Sequence, residues 1–267
     1  MENEKRKLRD CFNKNGGQLL KSLKVEIFTK EKLDHITNNY RCIIGQGAFG
    51  KVYKGATGTR DNPPEPGPTV GCCLETEVPM LVYEYVPRGS LHGILHGDNK
   101  EPLPLETRLD IAIYSAVARV YMHSEESQAS IILHGDVKSG NILLDDGFTP
   151  KVSDFGTSRL MSIDKDHTNW VVGDSSYIDP MYDGNHSLPL DYVKASMGGA
   201  VREMFNPEVA SHGKQNEECL EEVGKIAVQC LKEDVNDRPT MNEVAERLKI
   251  CKCRWLEYDR KTNEICT

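Results

Sequence analysis

Residues 134 to 156 read HGDVKSGNILLDDGFTPKVSDFG and gather two carboxylates, an ammonium and a carboxamide in one short stretch: Asp136, Lys138, Asn141 and Asp154. Those groups, at that spacing, suit phosphoryl transfer from ATP, which depends on positioning and on offsetting negative charge rather than on covalent chemistry by the protein. A lone His-x-Asp arises often by chance. His134-x-Asp136-x-Lys138-x-x-Asn141, then an apolar run, then Asp154-Phe155-Gly156 is a far more specific combination.

Several elements must hold these residues in place. Ile142-Leu143-Leu144 and Lys151-Val152-Ser153 read as short strands around the turn residues Asp145-Asp146-Gly147. Leu105, Leu109, Ala112, Ile113, Ala116, Val117, Val120 and Tyr121 recur at helical spacing and predict a long helix with one apolar face beneath the loop. Upstream, Gly45, Gly47 and Gly50 lie between two β-prone runs and predict a hairpin whose amides could approach phosphates. Glycines at this spacing are a weak signal alone. Lys51-Val52-Tyr53 continues as a strand rather than a helix, which disfavours a dinucleotide fingerprint.

Leu33, Ile36 and Tyr40 predict a short helix within residues 28 to 40, and the proline-rich residues 56 to 70 predict a linker. MLVYEYV, residues 80 to 86, reads as a buried strand and Pro87 to Leu91 as a turn into a helix; an ordinary core strand satisfies the same pattern. Leu220, Val223, Ile226, Ala227, Cys230 and Leu231 mark another amphipathic helix. A last one starts at the capping box Thr240-Met241-Asn242-Glu243.

The catalytic-loop spacing resembles that of the protein kinases. With Asn15-Gly16-Gly17, Phe28-Thr29, Gly71 to Pro79 (GCCLETEVP) and Arg238-Pro239-Thr240-Met241, the chain more specifically resembles the wall-associated receptor-like serine/threonine kinases of plants, over residues 1 to about 250. The resemblance implies an α+β, two-lobed kinase-like fold. Its parts would be a juxtamembrane-like segment (1–40), a reduced β-rich N-lobe (41–86), a mostly helical C-lobe lacking one central helix (87–250) and a C-terminal tail (251–267). It further implies that Asp136 orients a substrate hydroxyl, Lys138 neutralises charge on the phosphoryl group, and Asn141 and Asp154 hold magnesium. Gly45, Gly47, Gly50 and Val52 would line ATP, and the hinge residues Glu84 and Val86 would meet its adenine.

Four departures from the family pattern stand out. The chain runs from Gly55 to Gly71 without the lysine-bearing strand or the helix whose glutamate pairs with that lysine. Lys51, Lys54, Glu75 and Glu77 do not occupy those positions. Residues 183 to 200 lack the long buried helix expected beneath the catalytic loop. In GDSSYIDPMY, residues 173 to 182, Asp174 stands where the family has threonine and Met181 where it has the glutamate that pairs with Arg238. Lastly, Gly135 stands where many kinases have an arginine that receives an activation-loop phosphate, so phosphorylation of Ser162, Thr168 or Ser175 would not switch this chain by that route.

Composition narrows the partners. The 267 residues carry a net charge of −8 and a pI near 5.6, which disfavours a nucleic-acid-binding surface. Lys5, Arg6, Lys7, Arg9, Lys14, Lys21 and Lys24 make a basic start that could touch an anionic membrane surface weakly; a solvated terminus is the plainer reading. No apolar run approaches a membrane span. Nine scattered cysteines fit reduced thiols, and Cys251, Cys253 and Cys266 fall short of the four ligands of a structural zinc site. The expected location is cytoplasmic, with peripheral plasma-membrane contact as an extension. The expected function is a kinase-like protein that binds ATP and magnesium at best and is impaired in transfer, a pseudokinase or decoy engaging receptor kinases or other signalling proteins. The alternatives are an active serine/threonine kinase and a fragment of a degenerate gene or skipped transcript.

Overall fold

The computed structural model describes residues 2–22, 25–47, 50–56, 71–97, 102–124, 130–162, 188–210, 213–232 and 234–265. Residues 57–70 of the linker expected over 56–70, the altered segment at 173–182, Thr168 and Cys266 lie outside these. Two compact units divide the chain, Met1–Tyr85 and Val86–Thr267.

In the first unit, Thr29 begins α3 (Lys30–Ile36) because its hydroxyl accepts the Lys32 N–H at 3.2 Å, while Glu75 Oε2 accepts the Lys30 N–H at 2.7 Å. Two donors of the first turn are thereby satisfied. Leu33 on this helix is buried with Phe28 and Cys73, and Ile36, Tyr40, Met80 and Val82 pack around them. This small core joins α3 to a three-stranded sheet in which β1 (Glu26–Ile27) runs parallel to β4 (Gly71–Cys73), itself antiparallel to β5 (Met80–Val82). Ahead of it lie α1 (Glu2–Lys14), which buries no residue, and α2 (Gly17–Ser22). Asn15 ties their junction down by donating to the carbonyls of Leu74 and Thr76 at 3.0 and 2.9 Å.

The glycine-rich hairpin forms where it is expected, from β2 (Ile43–Gly47) and β3 (Gly50–Tyr53), as a separate antiparallel pair with a bulge between Ile43 and Gly45. The MLVYEYV run differs from expectation. Only Met80–Val82 is strand, and Leu81, Tyr83 and Tyr85 are exposed. Met80 and Val82 rest on the small core while Leu81 between them faces water, the alternation of a strand covered on one face.

In the second unit, α4 (Leu91–His96) is capped by Ser90, whose Oγ accepts the Gly93 N–H. The long helix α5 (Leu105–His123) feeds three cores rather than one face. Leu105 and Leu109 pack with Val209, Cys219 and Cys251; Ile113 and Ala116 with Ile226, Val244, Ala245 and Leu248; Ile111 with Ile94, Leu103 and Leu144. Val117 and Tyr121, expected on the apolar face, are exposed at 41% and 63%. Neighbours on several sides rotate the buried surface away from a single stripe.

The capping box is present. Thr240 N–H donates to Glu243 Oε2 at 2.7 Å, and Glu243 N–H to Thr240 Oγ1 at 3.2 Å. The helix it starts, α9 (Met241–Ile265), runs straight past residue 250, with Cys251 buried and Trp255 packed on the same core, so the boundary expected there falls within a helix. Lys252 Nζ joins α9 to α5 through both Asp110 oxygens at 2.7 Å and Glu106 at 3.3 Å. α6 (Leu188–Met197), α7 (Pro207–Ala210) and α8 (Lys214–Cys230) precede it. None of the described side chains of α6 is fully buried, and Met197 is 84% exposed, so this ten-residue helix is not a long buried one. It meets α8 where Gly224 leaves room for the Tyr192 hydroxyl.

Two antiparallel pairs hold the loop residues: β6 (Ser130–Leu133) with β9 (Arg159–Ser162), and β7 (Ile142–Leu144) with β8 (Pro150–Val152). Residues 134–141 therefore bridge β6 to β7, and 153–158 bridge β8 to β9.

Candidate functional site

His134 ties the two bridging segments together. Its ring is 3% exposed, with Nε2 2.9 Å from the Ser153 carbonyl and Nδ1 3.3 Å from the Asp136 amide nitrogen. A backbone N–H can only donate, so Nδ1 accepts and Nε2 carries the proton given to Ser153. Ser158 Oγ donates to the His134 carbonyl at 3.2 Å, and the Phe155 ring centre lies 4.8 Å away. Gly135 has φ 84°, a left-handed backbone that favours glycine over the arginine many kinases carry there.

Asp136 is the hub. Its Oδ2 accepts Lys138 Nζ at 2.6 Å and Asn141 Nδ2 at 3.0 Å, while its carbonyl accepts the same Asn141 Nδ2 at 2.8 Å. The Lys138 ammonium, opposed in part by desolvation and aided by Asn141, holds the carboxyl below its ordinary range, so it is ionised at neutral pH. Asn141 is buried on the one-turn helix Ser139–Asn141, and its carbonyl accepts Ser153 N–H at 2.8 Å and Ser153 Oγ at 3.1 Å. Its Nδ2 is committed to Asp136, which leaves Oδ1 available as an acceptor.

Asp154 has φ 63° and ψ 68°, a left-handed conformation uncommon for a residue with a side chain, and its Oδ1 accepts the Gly156 N–H at 3.4 Å. Asn141 Oδ1 and the second Asp154 oxygen make no hydrogen bond among the described residues. Both are hard oxygen donors, the kind magnesium takes from a protein. The structure thus brings Asp136, Lys138 and Asn141 into direct contact and places Asp154 on the segment that His134 ties to their loop.

The other expected residues are dispersed. Gly45, Gly47, Gly50 and Val52 share the hairpin, where a Cβ at Gly47 or Gly50 would meet open space and the backbone is uncovered. Glu84 is exposed beyond β5, and Val86 begins the second unit. Lys54 Nζ stacks 4.1 Å over the Tyr85 ring, Glu75 caps α3, and Glu77 pairs with Lys7 at 3.3 Å, so these groups are engaged elsewhere. Arg238 donates from Nε to the Lys232 carbonyl at 2.6 Å and is partly exposed, which spares it the cost of a buried unpaired charge.

Ser153 and Ser158 have roles that sequence reasoning misses. Their bonds to His134 and Asn141 cross 12 to 24 residues, and no periodicity or motif marks them.

Residues 68–176 match the family described as protein tyrosine and serine/threonine kinase. Wall-associated receptor kinase 2 of Arabidopsis thaliana is 31% identical across 95% of this chain and 45% of its own length. Wall-associated receptor kinase 5 is 33% identical over the same shares. The putative wall-associated receptor kinase-like 16 is 32% identical across 94% of this chain and 76% of its own length. The chain spans less than half of the first two relatives. The matched stretches run to 330 or 334 residues, longer than the chain's 267, so the relatives carry residues in this interval that the chain lacks. Motif, α+β kinase-like fold and likeness along nearly the whole sequence converge, and the chain belongs to the wall-associated receptor kinase family.

Proposed function

We propose that this chain binds Mg-ATP weakly and is impaired in phosphoryl transfer, serving as a pseudokinase or decoy that engages receptor kinases or other signalling proteins on the cytoplasmic side of the plasma membrane. One observation carries the reading: the Asp136–Lys138–Asn141 cluster is assembled, while no lysine occurs between Lys54 and Lys100 to fix the α and β phosphates. The lysine that precedes this interval, Lys54, is stacked on Tyr85.

Bound Mg-ATP supplies the transferable phosphoryl group and the metal that offsets its charge. Asn141 and Asp154 would hold the metal through their open oxygens, and the hairpin amides around Gly45, Gly47 and Gly50 would take the phosphates. Asp136 would accept a hydrogen bond from an incoming hydroxyl through the carboxylate that Lys138 and Asn141 keep ionised. Without the missing lysine, the nucleotide would be held but poorly aimed, and misplacement of about 1 Å can cost ~100-fold in rate. Active transfer is the second reading, favoured by the completeness of the Asp136 cluster.

Thermal melting with and without Mg-ATP, together with labelled-phosphate transfer to a generic protein acceptor, separates the two. The expected result is a rise in melting temperature with no transfer above an Asp136→Asn control; a ligand at one hundred times its Kd adds about 2.7 kcal/mol. Transfer clearly above that control overturns the impaired reading, and an unchanged melt overturns nucleotide binding.

A further inference from the structure

Two thiols far from the catalytic loop face each other across a helix pair. Cys219 of α8 and Cys251 of α9 are each 6% exposed, and their sulfurs are 3.8 Å apart. Adjacent contacts pin the helices on both sides. Trp255 Nε1, one turn beyond Cys251, donates to Asn216 Oδ1 at 2.7 Å, one turn before Cys219. In the other direction, Arg247 donates to the side-chain oxygen of Gln229. Asn216 is itself buried and fixed by donating to the Val209 carbonyl at 2.8 Å.

The pair is not sealed off. Both cysteines line a groove of about 630 Å³ between α8 and α9, whose walls include Glu222, Arg247, Arg254 and Trp255. A small polar oxidant can enter such a space. Contact with the Cys219 sulfur draws the Cys251 thiol below its ordinary range, while burial opposes charge on either; when protonated, Cys251 Sγ can also donate to the Cys219 carbonyl, 3.7 Å away.

We propose that Cys219 and Cys251 are a redox-modification site at which a hydroperoxide forms a disulfide that staples α8 to α9. The Cys251 thiolate attacks the peroxide, taking its terminal OH and releasing alkoxide, which takes up the proton Cys251 lost and leaves as an alcohol, or as water from hydrogen peroxide. Cys219 sulfur then displaces hydroxide from the resulting sulfenic acid, and the hydroxide leaves as water with the Cys219 proton. Two thiols and one hydroperoxide give one disulfide, one alcohol and one water, the two electrons passing from sulfur to the oxygen–oxygen bond. Closing the gap from 3.8 Å to a bonded length of about 2.05 Å asks for a shift of under 2 Å.

The test treats the native full chain with hydrogen peroxide, blocks remaining thiols by alkylation, and maps the peptides by mass spectrometry without reduction. A linked peptide joining Cys219 to Cys251 is expected, with a melting temperature higher than that of the reduced protein by roughly 5 °C or more. Reduction should reverse both, and Cys219→Ser should leave alkylatable or over-oxidised Cys251 without the stabilisation. Alkylated, unlinked Cys219 and Cys251 after the exposed Cys42 and Cys253 have been oxidised overturns the proposal, as does linkage of either residue to a different cysteine. Mapping of the unmodified chain stands even where the serine variant does not fold.

Discussion

Replacing Asn141 by alanine probes the site most directly. The side chain donates twice to Asp136, at 2.8 Å to the carbonyl and 3.0 Å to the carboxylate, from a position that is 7% exposed. A bond between neutral groups contributes ~0.5–1.5 kcal/mol and one to a charged group ~1.5–3 kcal/mol. Asp136 keeps Lys138 as a partner, and its side chain is 18% exposed, so water takes up part of the carboxylate demand. The expected net loss is therefore about 2–3 kcal/mol, or roughly 5–10 °C in Tm for a unit of this size. Asn141→Asp should lose at least as much, because it deletes the donor and sets a second carboxylate against Asp136. Differential scanning calorimetry without nucleotide isolates the structural effect, and the same scan with Mg-ATP should show a smaller ligand-induced rise for the alanine variant than for the parent. An alanine variant melting within about 1 °C of the parent, or an aspartate variant more stable than the parent, would show that Asn141 does not brace Asp136.

Two further outcomes follow from the same contacts. Asp136 has its carboxyl held low in the folded state, so its contribution is present above the unfolded value near about 3.9 and is lost as pH falls through the folded value; melts of the parent and Asp136→Asn should converge over that acid range, and a constant gap down to the lowest pH would contradict the Lys138 pairing. At the start of α9, Thr240→Ala removes the hydroxyl that accepts the Glu243 N–H and should cost about 1 kcal/mol in urea unfolding, with the slope unchanged; Thr240→Ser should restore it.

Legibility of the sequence varied with the range of the interaction. The Asp136, Lys138 and Asn141 cluster lies within six consecutive residues, so its spacing nearly dictates its geometry. The glycine hairpin and the capping box at Thr240 are equally local, each closing within a few residues. The MLVYEYV run misled because composition reports apolarity and not how many faces of the strand are covered; only the Met80 and Val82 face rests on a core, and Leu81 stays in water. The α5 pattern misled for the complementary reason, since Ile111 finds a third core that a single-stripe reading does not anticipate.

The amino-acid sequence by itself determined the family, the local geometry of residues 136–141 and the absence of a lysine between Lys54 and Lys100. Tertiary structure alone decided that a buried His134 reaches the Ser153 carbonyl and that Cys219 meets Cys251 32 residues away. The division has a physical cause. Hydrogen-bonding motifs that close within one turn are written in neighbouring residue types, whereas pairings across long loops depend on how packed cores bring distant segments together.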